Sequence, residues 1–155
     1  MTEITRILYP TDFSESSAAV LVPMVTLARF FQAEVVVLHV VERLPMPSEG
    51  YFPTDTWQAL VEENEREAVA QLDQLARALK GEGVAVSTRL VVGSVVPGIL
   101  RIAKEEGVDL IAMGTHGRTG LSSVLLESVA DKVIRLAPCP VLTVRNQALP
   151  LEARR

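Results

Sequence analysis

The chain has 155 residues, 48% of them hydrophobic, enough for one domain of ordinary size with a core covered on two sides. Its 15 basic and 19 acidic side chains are mixed along the sequence and leave a formal charge of -4, so no nucleic-acid partner is expected. No apolar run approaches the roughly 20 residues needed to cross a bilayer, and even Val35 to Val41 is interrupted by His39, so no membrane partner is expected either.

Ile7-Leu8-Tyr9 reads as the first strand. Ala18, Leu21, Val22, Val25 and Ala28 then recur at three- and four-residue steps. That period predicts a helix, with Asp12 or Ser14 as its N-cap and Pro23 inside it as a kink. Val35 to Val41 is the second strand, and His39 within it is expected to be a hydrogen-bonded core residue. Residues 42–56 lack periodicity, and Pro45, Pro47, Gly50 and Pro53 mark an irregular connection. Tyr51, Phe52 and Trp57 either pin it to the domain, cover a ligand or pack on a partner.

Trp57, Leu60, Val61, Ala68, Leu72, Leu75 and Leu79 form the apolar stripe of a second helix. Glu62, Glu63, Glu65 and Arg66 form its solvated face, and Gly81 ends it. Val84 to Val92 is a third strand whose Ser87, Thr88 and Arg89 imply a sheet edge. Ser94 caps a helix from Val95 to Glu106, with Pro97 harmless in the first turn and Gly107 at the stop. Leu110 to Met113 is the fourth strand, Ser128 to Leu136 a final helix and Val141 to Val144 the fifth strand. Residues 1–146 make the domain and 147–155 a frayed tail.

Apolar strands alternating with amphipathic helices define an α/β class, an open, mostly parallel five-stranded sheet with helices on both faces. If right-handed crossovers give the order 3-2-1-4-5, a doubly wound sheet, the winding reverses between the first and fourth strands. Ligands settle at such a crevice, outside the strand carboxyl ends. Pro10-Thr11-Asp12 stands on one side of it and Met113-Gly114 on the other. Asp12 there offers a charged acceptor for a ribose or a base amino group, or caps the first helix.

Gly114-Thr115-His116-Gly117-Arg118-Thr119-Gly120 follows the fourth strand directly. Glycines after a strand let backbone N–H groups approach an anion, or simply turn the chain. Ser128, with Asp131 three residues on, either caps the last helix or joins its N–H groups on a phosphate. His116 and Arg118 are candidate phosphate contacts, the latter through its forked guanidinium. Two histidines and Cys139 show no zinc-ligand spacing. One cysteine cannot form an internal disulfide, and Met1 to Arg6 lacks a signal-peptide pattern, so a cytoplasmic location is expected.

These segments resemble a known family. Ile7-Leu8-Tyr9-Pro10-Thr11-Asp12-Phe13-Ser14, Leu38-His39-Val40, and the stretch from Gly114-Thr115-His116-Gly117 to Ala137-Pro138-Cys139-Pro140-Val141 are similar to the opening, second strand and closing motif of universal stress proteins. The resemblance implies the order 3-2-1-4-5, a homodimer through strand 141–145 and a role in stress response. In the nucleotide-binding branch it implies ATP held by a Gly-x2-Gly-x9-Gly-Ser/Thr motif.

It places Pro10, Thr11, Asp12, Val40, Met113 and Gly114 around adenosine, and Gly117, Ser128 and Val129 around phosphates. Gly114, Gly117 and Ser128 match the motif, whereas Glu127 stands in place of its third glycine. A carboxylate about 4 Å from a phosphate repels it by about 1 kcal/mol in water and about 4 kcal/mol at an intermediate dielectric. ATP with Glu127 turned away or bridged by a divalent cation, AMP or another adenine nucleotide, and an empty site all stay open. Glu127→Gly is expected to strengthen ATP binding, as measured by titration.

An ATP-cleaving synthetase of the same architecture would carry Ser-Gly-Gly-x-Asp-Ser after the first strand, where this chain has Tyr9 to Ser14. Gly-x-Ser-x-Gly and Gly-x4-Gly-Lys-Ser/Thr are also absent. The expectation is a binding module, not a catalyst, with a nucleotide-free dimeric interaction protein as the first alternative and a slow ATP hydrolase as the second.

Overall fold

The computed structural model describes residues 3–43, 45, 46, 48, 53–115 and 128–145. Five strands form one all-parallel sheet in the order β3-β2-β1-β4-β5, as the sequence predicts. In chain order these are β1 (Arg6–Pro10), β2 (Glu34–Val41), β3 (Val86–Val92), β4 (Leu110–Gly114) and β5 (Val141–Val144).

The helices are α1 (Glu15–Ala18), α2 (Leu21–Phe31), α3 (Thr54–Gly81), α4 (Val95–Glu105) and α5 (Val129–Leu136). Strand side chains alternate between two cores, because successive Cβ atoms point to opposite faces of a sheet. Ile7, Tyr9, Val35, Val37 and Ala112 pack with Met24 and Ala28 of α2 and Leu72 and Leu79 of α3. Leu8, Val36, Leu38, Ile111 and Met113 pack with Ile99 and Ile102 of α4 and Ala130 and Val133 of α5. Both faces are covered, which is why β1, β2 and β4 are nearly continuous apolar runs.

Several local expectations are corrected. The first connection is two helices, not one, and Pro23 lies in the first turn of α2. Its missing N–H is an orphan there in any case, so it kinks nothing. Helix α3 starts inside the predicted 42–56 connection, at Thr54, and includes Gly81; the turn with positive φ comes at Gly83. The third strand begins at Val86, not Val84. Ser94 occupies the N-cap of α4 without a side-chain bond, whereas Ser14 and Ser128 do cap α1 and α5. Tyr51, Phe52 and the tail 146–155 lie outside the described residues.

Helix α3 overshoots the sheet. Its 28 residues span about 42 Å, against about 26 Å for the 8 residues of β2. All its buried residues, Ala68, Leu72, Ala76 and Leu79, lie in the second half. The first half of the predicted stripe is not buried in the core: Leu60 is exposed, and half-buried Trp57 and Val61 line a small hollow with Val41 and Val92 at the ends of β2 and β3.

Candidate functional site

A cavity of about 710 Å³ opens at the carboxyl ends of β1, β2 and β4. Pro10, Thr11 and Asp12 line it from the first strand, Leu38 to Glu42 from the second, and Met113, Gly114 and Thr115 from the fourth. Val95 and Ile99 of α4 and Val129 and Ala130 of α5 close one side, and Leu60, Glu63, Asn64, Glu67, Ala68 and Gln71 of α3 the other. Of the residues the sequence singled out, Pro10, Thr11, Asp12, Val40, Met113, Gly114 and Val129 share this one hollow. His116, Gly117, Arg118 and Glu127 lie outside the described residues.

The turn after β1 is built from local hydrogen bonds. Asp12 Oδ1 accepts the Ser14 N–H at 3.0 Å and also the Ser14 hydroxyl. Thr11 is buried; its Oγ1 accepts the Phe13 N–H at 3.0 Å and lies 2.9 Å from Ser17 Oγ. Ser17 gives its only hydroxyl proton to the Ser14 carbonyl, so in the Thr11–Ser17 pair the threonine donates. Tyr9 adds a 2.7 Å bond from its hydroxyl to the Ser17 carbonyl, and burial pushes its pKa up. Capping and site roles of this segment coexist: Ser14 caps α1 while Asp12 lines the cavity.

Gly114 is required by contact as well as by flexibility. A Cβ there would sit 2.2 Å from the Ser16 carbonyl oxygen, so only glycine lets β4 end against α1. Thr115 follows, and its Oγ1 is buried without a partner among the described residues. Ser128 Oγ accepts the Asp131 N–H at 3.2 Å, which fulfils its capping role.

His39 departs from its expected place in the core. It is only partly buried, lines the cavity, and holds the Thr11 carbonyl through Nδ1 at 2.8 Å. The α3 wall was also missed, because Glu63 and its neighbours read as a solvated helix face. The signal was length: a helix that outruns its strands must project past them. Four carboxylates, Asp12, Glu42, Glu63 and Glu67, line the cavity, and no Lys or Arg does so among the described residues. No three His, Cys, Asp or Glu side chains gather there into a metal site among the described residues.

An open, doubly wound parallel sheet covered by helices on both faces defines a Rossmann-like class of α/β proteins. Within that class, the chain belongs to the universal stress protein family, which it matches over residues 3–145. Universal stress proteins MJ0531 and MJ0577 of Methanocaldococcus jannaschii are 35% and 34% identical to it, covering 91% and 92% of this chain and 82% and 95% of theirs. The solved structure of MJ0577 superposes with a TM-score of 0.83 at 33% identity, covering 96% of this chain and all (100%) of the other.

Two more distant structures share the fold. A universal stress protein in complex with cAMP has a TM-score of 0.68 at 24% identity, covering 94% of this chain and 100% of its own. A family protein from Arabidopsis thaliana with AMP bound has 0.67 at 17% identity, covering 93% of each. No helix among the described residues is long and apolar enough to cross a membrane.

Proposed function

We propose that this chain is a cytoplasmic adenine-nucleotide-binding module of the stress response that holds its ligand without transforming it. The observation that carries this reading is the cavity itself. Asp12 and Gly114, on strand tips either side of the winding reversal, line one hollow of about 710 Å³. That volume suits a small organic ligand. Its floor of Leu38, Val40, Ile99 and Met113 is apolar enough for a base, and Asp12 supplies an acceptor for ribose hydroxyls. The unpartnered Thr115 Oγ1 is a polar atom a ligand would satisfy. Proteins of this fold hold cAMP and AMP.

The carboxylates favour a ligand of low negative charge, AMP or cAMP, over ATP. ATP would need a divalent cation bound with it to offset Asp12, Glu42, Glu63 and Glu67. Binding without catalysis is supported by the sequence, which lacks the Ser-Gly-Gly-x-Asp-Ser, Gly-x-Ser-x-Gly and Gly-x4-Gly-Lys-Ser/Thr motifs. The partly exposed edge strand β5 supports a homodimer in which two such edges meet, covering their unpaired backbone groups.

The purified protein should release an adenine nucleotide on denaturation, read by chromatography, and should bind AMP or cAMP more tightly than magnesium-free ATP by calorimetric titration. No released nucleotide and no heat of binding would leave the nucleotide-free interaction protein as the function. Product formed from ATP above background would make the chain an enzyme.

A further inference from the structure

We infer that His39 is a positioning residue of the site, a role that rests on the cavity being the nucleotide site. It fixes the β1–α1 turn that carries Asp12, and it does so as the Nδ1–H tautomer. Pairing of β1 with β2 ends at Pro10 and Leu38, so Thr11 is the first residue past the ladder. Its peptide groups are nevertheless held to β2 twice. The Thr11 N–H donates to the Leu38 carbonyl at 2.8 Å, and the Thr11 carbonyl lies 2.8 Å from His39 Nδ1. A carbonyl only accepts, so Nδ1 carries the proton in that bond. In the neutral ring, Nε2 is then left as the acceptor.

The residue after the anchor is Asp12, and the one after that, Phe13, has φ 63, a left-handed conformation uncommon for a bulky side chain. Such a backbone persists only when its surroundings over-determine it. Here the Phe13 N–H is tied to Thr11 Oγ1, and its ring packs on the His39 ring with centroids 4.6 Å apart. His39 therefore grips the turn at two points, one on each side of Asp12. Beyond Glu34 at its start, β2 offers the turn no other polar side chain.

The tautomer is read directly by long-range ¹⁵N–¹H correlation spectroscopy on the intact protein, recorded where the ring is neutral, and a protonated Nδ1 with a bare Nε2 is expected. A dominant Nε2–H form overturns the inference whether or not any nucleotide binds. Titration with AMP adds a functional reading. His39→Leu removes the donor and should weaken AMP about tenfold. His39→Asn places Nδ2 where Nδ1 stood and should stay within about twofold of wild type. His39→Leu binding AMP as tightly as wild type, or His39→Asn as poorly as a folded His39→Leu, would overturn the positioning role. Should wild type itself fail to bind AMP, cAMP and ATP, the proposed function falls, and the tautomer alone decides the anchoring of the turn.

Discussion

The two ends of the same sheet are built in opposite ways. At the amino ends of the strands the polar groups satisfy one another. Asp109 accepts the Thr5 N–H and hydroxyl, each at 2.8 Å, and the Arg6 N–H at 3.0 Å. Arg6 reaches Glu34 at 3.2 Å and the Glu106 carbonyl at 2.7 Å, and Arg89 joins Glu105 and Glu106. At the carboxyl ends the polar groups are ordered just as carefully, by Thr11, Ser14, Ser17 and His39, but around a hollow. A closed network serves stability, whereas a network that shapes empty space fits the proposed role of holding a guest.

Substitutions at four positions test that division. Gly114→Ala should be the most damaging, because the new Cβ meets backbone 2.2 Å away. A loss of about 3 kcal/mol is expected, with a fall in thermal midpoint of roughly 6–12 °C and loss of nucleotide binding. Calorimetric melting checks it; a midpoint within a degree of wild type would mean that β4 and α1 do not touch as described.

Asp12→Asn keeps an acceptor for the Ser14 N–H but loses the charge. AMP affinity should fall about tenfold while stability changes by less than about 1 kcal/mol. A large stability loss with unchanged affinity would move Asp12 from the site to the scaffold.

Asp109→Ala at the opposite end should do the reverse, costing about 1 kcal/mol with nucleotide affinity untouched. The Thr5 N–H, then the Thr5 hydroxyl, hold the Asp109 carboxyl below its ordinary 3.8. A carboxyl lowered by folding adds stability above its unfolded pKa, about 3.9, and that stability disappears as pH falls through the folded value. Urea unfolding of wild type should therefore weaken below about pH 4 more steeply than that of Asp109→Asn. Parallel acid limbs would show that the clasp contributes nothing.

Gly98→Ala should have the smallest effect, under about 1 kcal/mol. Its Cβ would meet Val40 Cγ2 at 3.1 Å, the tip of a side chain that can yield. The contrast between the two glycines, measured side by side, separates a backbone limit from an adjustable contact.

Much of this was legible in the sequence because the strands are hydrophobic on both faces. Runs such as Val35 to Leu38 cannot be solvent-facing strands, and a sheet so buried must be parallel and helix-covered. From that, the crevice beside Asp12 and Gly114 follows by topology. Pro23 misled because periodicity ran through two short helices as though they were one. His39 was misplaced because its position in an apolar strand says nothing of the ladder ending one residue earlier. The α3 wall was hidden for a related reason: amphipathic period identifies a helix but not how far its strands accompany it.

That unaccompanied half of α3 behaves as a cantilever. Leu60, Glu63 and Glu67 bound the cavity while none of them is buried in a core. Changes there carry little folding penalty, typically within about 0.5 kcal/mol each. A lineage can thus remodel what the hollow admits, residue by residue, while the sheet beneath stays the same.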